Sequence, residues 1–130
     1  MAVEAVKRLD SGKRIGAVVL LAGSFSPGYD LTAVAAGSRT VRSFHSFIDF
    51  IINGLLGTLL FGCNDRRRSA ACGMVGLKTR PRRVWQRGWS RFDLALGYLG
   101  DHFSITSPRF IAKRVVRILP AGEGPISRSK

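Results

Sequence analysis

The seven residues Ile15–Leu21 (IGAVVLL) contain no charged or polar side chain and show no alternation. Side chains along a strand point to opposite faces in turn, so a half-exposed strand alternates apolar with polar, whereas an unbroken apolar run is what a strand covered on both faces looks like. Parallel neighbours must be joined by crossovers of a dozen or more residues, which are usually helical. The run therefore predicts an α/β layered domain with IGAVVLL as a central parallel strand.

The rest of the chain supplies matching elements. Residues 3–9 place Val3, Val6 and Leu9 at helical spacing, and Ser11-Gly12 ends that helix. After the first strand, AGSFSPGYD is turn chemistry. Residues 31–36 read as a short helix, 40–46 (TVRSFHS) as a second strand, and 84–89 as a weaker third one. Between these two strands, 48–61 reads as an apolar helix, buried rather than membrane-spanning because its apolar run of fourteen residues is too short to cross a bilayer. Residues 65–83 keep no period and read as a basic loop insertion. Pro108 suits a first helical turn, and Phe110, Ile111, Val115, Ile118 and Leu119 recur at spacings of three and four, which predicts an amphipathic terminal helix. The Gly/Pro/Ser-rich 121–130 is expected to be a flexible tail.

The net charge of +13 is concentrated. Residues 65–92 hold nine Lys/Arg against the single Asp65. Such a segment can contact nucleic acid or an anionic surface, and Trp85 and Trp89, interleaved with Arg82, Arg83, Arg87 and Arg91, could stack on bases. It can equally be a solvated loop, with the tryptophans as its core anchor, and no nucleic-acid motif accompanies the charge. Weak, sequence-independent binding through 66–91 is the expectation. Cys63 and Cys72 are too few for a disulfide framework. With no signal-peptide pattern, a cytoplasmic location is expected.

Two residues stand out chemically. Asp49 closes the run VRSFHSFID, and His102 sits in the turn-like GYLGDHFS, 53 residues later. A carboxylate that orients an imidazole, and the imidazole itself, are two of the three groups of a serine-hydrolase triad. Asp49 has a second possible role as N-cap of the helix that follows it, a position aspartate fills well. The order of helix, buried strand, loop, strand ending in Ser-x-x-Asp, insertion, weak strand, Gly-x-His and terminal helix resembles the C-terminal half of an α/β-hydrolase. The match covers roughly residues 1–120. The resemblance implies a partial doubly wound, mostly parallel sheet with flanking helices, with Asp49 as triad acid and His102 as base. It also implies that MAVEAVKRLDSGKR is the helix after the nucleophile turn, so the chain is expected to begin just downstream of the Gly-x-Ser-x-Gly elbow.

Within the chain, Ser26 in SFSPG is the tempting nucleophile. The elbow uses the backbone N–H after the serine as an oxyanion donor, and here that residue is Pro27, which has none. Losing one such donor costs on the order of 3 kcal/mol of transition-state stabilisation. Ser24 stands where the elbow wants glycine. The loop is therefore read as lining the site at most. His45 shares a strand face with Phe47 and is read as structural. The two histidines and two cysteines lack zinc-ligand spacing, and neither a Walker A sequence nor a dinucleotide fingerprint occurs, so no cofactor or metal is expected. The resulting expectation is a hydrolase-like fragment for a small ester or acyl substrate, inactive until the missing half is supplied. The alternative is a small basic module for nucleic acid or an anionic surface.

Overall fold

The structure, a computed structural model, describes residues 2–9, 13–78 and 80–119; of residues 2 and 56–59 it describes the backbone only. The expected tail 121–130 and the helix stop at Ser11-Gly12 lie outside the described residues. Three strands, β1 (Ile15–Leu21), β2 (Ser38–His45) and β3 (Val84–Gly88), form a parallel sheet in the order β1-β2-β3. The register sets Ala17 beside Thr40, Leu21 beside Phe44, Arg42 beside Trp85 and Phe44 beside Arg87. The domain is of the α/β class. The central strand is β2, not β1, which pairs on one side only among the described residues.

Both faces of the sheet are covered, which explains the unbroken apolar run. Val18 and Leu20 face a cluster with Val41 and Val84, closed by Val3 and Val6 of α1 (Ala2–Lys7), Val34 and Ala35 of α2 (Thr32–Ala36), and Cys72 of α3 (Cys72–Val75). Val19 and Leu21 turn the other way, toward Phe44, Tyr98, Ile105, Phe110 and Val115. That second cluster lies under a terminal helix which starts with Pro108–Phe110 and continues through the wider turns of Ile111–Val115 and the tighter Val116–Ile118. Phe110 meets Phe44 and Tyr98 edge-on at 5.5 and 4.6 Å between ring centroids. Leu119, expected on the buried face, is exposed because it leaves the helix: its backbone is extended (φ −66°, ψ 131°) where the last turn ends at Ile118.

Two expectations for the second crossover need correction. The apolar stretch after Asp49 forms a π-type helix, Ile51–Leu60, but it is not a buried one: Phe50, Ile51, Leu55, Leu60 and Phe61 are exposed. Nor is the basic segment simply loop. Ala71, Cys72 and Leu77 are buried, and α3 is stitched beneath the strand ends by Cys72 N–H to Phe25 O and Gly73 N–H to Gly23 O, both 2.7 Å. Burial pushes the Cys72 thiol up to about 11. A Cβ on Gly73 would lie 2.4 Å from the Ala22 carbonyl carbon and 2.6 Å from Asn53 Nδ2, so this close approach admits only glycine.

Candidate active site

All three strands contribute a residue beyond their C-terminal ends, where open α/β sheets bind ligands. After β2, a tight turn with Asp49 N–H on Ser46 O at 3.1 Å aims the Asp49 side chain inward, where it is buried. After β3, the chain runs through Gly97 and Gly100, both at positive φ, into the turn that carries His102. Asp101 caps this turn: its carboxylate accepts from Phe103 N–H at 2.9 Å, from Ser104 N–H at 3.0 Å and from the Ser104 hydroxyl. The Ser104 hydroxyl, helped by those two amides, holds the Asp101 carboxyl below the usual carboxylate range. After β1, Ala22 adopts a left-handed backbone (φ 48°) and presents its carbonyl to the same point.

The structure brings Asp49 and His102 together, with His102 Nδ1 3.0 Å from Asp49 Oδ2. Between them lies a residue that the sequence reading missed. Asn53, fully buried, donates through Nδ2 to Asp49 Oδ2 at 2.6 Å and to Ala22 O at 3.2 Å. Its Oδ1 accepts from the Ser24 hydroxyl at 3.3 Å, which fixes the orientation of the amide. The signal was available: Asn53 stands four residues after Asp49, the spacing that stacks two side chains on one helix face.

The network assigns the imidazole tautomer. Both hydrogens of the Asn53 amide are taken by Asp49 and Ala22, so its 3.3 Å approach to His102 Nδ1 leaves it none to give there. The ionised carboxylate only accepts, so Nδ1 must carry the proton that bridges to it. Nε2 is then the basic nitrogen. His102 lines a cavity of about 290 Å³ along β1 and the loop after it, with Val3, Val19–Phe25 as its other walls. Such an arrangement can accept a proton at Nε2 and stabilise the resulting imidazolium through a buried carboxylate.

The other candidates fall elsewhere. The Asp49 carboxylate meets two side chains, Asn53 and His102, both through Oδ2. Ser26 is buried and tied to Asp65, whose Oδ1 accepts its N–H at 3.0 Å and whose Oδ2 accepts its hydroxyl; the loop lines the cavity through Ser24 and Phe25 instead. Burial would raise the Asp65 carboxyl, but the Ser26 hydrogen bonds outweigh it and hold the group low. His45, at the end of β2, is half-buried between Gly76 and Gly88, and desolvation, then the nearby Arg80 charge, lower its pKa. Trp89 is an anchor, its indole N–H on Tyr98 O at 3.0 Å, whereas Trp85 is 42% exposed with the Arg42 guanidinium 4.9 Å from its ring. Arg87 is not a free surface cation, because it pairs with the buried Asp93 at 3.0 Å.

The fold and this geometry define a small parallel α/β domain with a buried carboxylate–histidine dyad at the strand ends. Comparison with protein-family models, with curated proteins and with solved structures finds no match. Among the described residues, no helix is long and apolar enough to cross a membrane, and no group of three or more His, Cys, Asp or Glu could hold a metal ion.

Proposed function

We propose that the chain carries the acid and the base of a serine-hydrolase-type triad, acting on an ester or related acyl substrate when an attacking serine is supplied from outside these residues. The observation that supports this reading is the Asp49–Asn53–His102 network, in which a buried carboxylate 3.0 Å from Nδ1 leaves Nε2 free as a base. In that role His102 would take the serine proton and return it to the leaving group, while Asp49 holds the tautomer and stabilises the imidazolium. No Gly-x-Ser-x-Gly occurs in the sequence, and Ser26 is committed to Asp65.

The chain as it stands offers a direct test. A neutral Nε2 can attack an activated ester itself: its lone pair bonds to the acyl carbon, the phenolate leaves, and water hydrolyses the acyl-imidazole. Slow cleavage of p-nitrophenyl acetate is expected, abolished by His102→Ala, unaffected by His45→Gln, and reduced about tenfold or more by Asp49→Asn, which loses the tautomer control. A serine-directed phosphonate should leave the chain unlabelled. Cleavage that survives His102→Ala would sink the dyad, and stoichiometric labelling removed by Ser26→Ala would place the nucleophile inside the chain.

A further inference from the structure

A second cavity, of about 360 Å³, opens on the sheet face beneath the terminal helix and shares no lining residue with the Asp49–His102 site. Its floor follows from the register. Arg42 beside Trp85, and Phe44 beside Arg87, are adjacent pairs on β2 and β3, and a spacing of two along each strand turns all four side chains to one face. Lys113, Arg114 and Arg117 of the terminal helix, with Ile118, close the other side.

The charge balance is one-sided. Five cations line the cavity, and the carboxylate that meets them is Asp93, which takes Arg87 at 3.0 Å and Arg114 at 3.3 Å. Neither β2, β3 nor the terminal helix contains an aspartate or glutamate. Two guanidinium nitrogens, Arg42 Nε and Arg114 Nε, are buried with no hydrogen-bond partner, and Lys113 and Arg117 form no ion pair among the described residues. Like charges held together repel. One multiply charged anion in the cavity removes that repulsion. Converging guanidinium forks match the oxygens of phosphate groups, and the volume lies at the small-molecule end of the usual range.

We infer that this cavity binds the diphosphate group of a small molecule, with Arg42, Lys113, Arg114 and Arg117 on the phosphates and the exposed Trp85 beside them. The shared chemistry is a diphosphate, free or carried by a nucleotide. Trp85 gives the readout, since a bound anion displaces solvent next to its ring.

The test titrates the folded chain at about 50 mM salt, where phosphate contacts are not yet screened out. Inorganic pyrophosphate and ADP are the probes, followed by tryptophan fluorescence and calorimetry. Saturable one-to-one binding of both is expected. ADP binding several-fold tighter than pyrophosphate would identify a nucleotide, and equal affinities a free diphosphate. Lys113 and Arg117 are exposed, so Lys113→Gln/Arg117→Gln should leave the fold intact and weaken binding about tenfold or more. Arg42→Gln should weaken it similarly. Replacing Arg66, Arg67 and Arg68 by Gln removes more charge elsewhere and should change affinity less than twofold. Equal losses in both sets of variants would show net charge acting alone and overturn the site. So would tight binding of unrelated oligonucleotides with none of pyrophosphate or ADP.

Discussion

Asn53 Nδ2 touches three groups from three separate segments of the chain: the Asp49 carboxylate, the Ala22 carbonyl and the His102 ring. Removing it should separate a positioning role from the dyad itself. In Asn53→Ala, Ala22 O loses a buried donor and Asp49 keeps only the imidazole, so stability should fall by about 2 kcal/mol in denaturant titration. His102-dependent ester cleavage should drop less than in Asp49→Asn, because the carboxylate that fixes the tautomer remains. A larger loss in Asn53→Ala than in Asp49→Asn would make the amide, not the carboxylate, the group that orients His102. At this scale the sequence was informative about the pair and blind to its bridge. Asp49 and His102 were legible because each stands just after an apolar stretch. The convergence of Ser24, Asn53 and Gly73 on the same point depends on a backbone approach so close that a Cβ on Gly73 would lie 2.4 Å from the Ala22 carbonyl carbon, which no periodicity encodes.

Among the elements, the terminal helix depends on a residue that looks unremarkable in sequence. Asp93 is buried, closes a reciprocal cap with Ser90, and holds both Arg87 of β3 and Arg114 of the helix. The helix, β3 and the 3₁₀ turn Arg91–Leu96 are thus joined through one carboxylate. Asp93→Ala leaves two part-exposed guanidinium groups without their counter-ion, and losing hydrogen bonds to a charged group costs about 1.5 to 3 kcal/mol. The expected outcome is a large loss of stability by thermal or chemical unfolding, with the weakened protection in hydrogen exchange concentrated at 108–118. A loss below about 1 kcal/mol would mean that apolar packing of Phe110 and Val115 alone holds the helix. Element types read well from sequence where burial and period agree, as in β1, α2 and the start of the terminal helix. They failed where packing overrides pattern: CGMV has no helical period, and its burial comes from Gly73 fitting against β1. The stretch 50–61 is apolar enough to be core, yet Phe50, Ile51, Leu55, Leu60 and Phe61 are exposed.

For the molecule as a whole, that exposed stretch sets the solution behaviour. Phe47, Ile48, Phe50 and Ile51 flank Asp49, and Leu99 and Phe103 flank His102, all exposed. The two loops touch, since a Cβ on Gly100 would sit 2.9 Å from Ile48 Cδ1, and the Phe103 ring meets His102 edge-on at 5.8 Å. The dyad is therefore rimmed by apolar surface of a kind that monomeric proteins rarely leave uncovered. Among the described residues β1 pairs on one side only, and such an edge can template another strand. Both features favour self-association, which the high net charge opposes at low salt. The weight-average mass in sedimentation should consequently rise with protein concentration, and more steeply as added salt screens the +13 charge. Phe47→Glu with Ile51→Glu should suppress that rise and leave His102-dependent ester cleavage in place, because neither side chain contributes to the Asp49–Asn53–His102 network. Association unchanged in this double variant would move the contact to the β1 edge. A chain that stays monomeric at every concentration and salt level would contradict the argument that this apolar rim is a surface made to be covered.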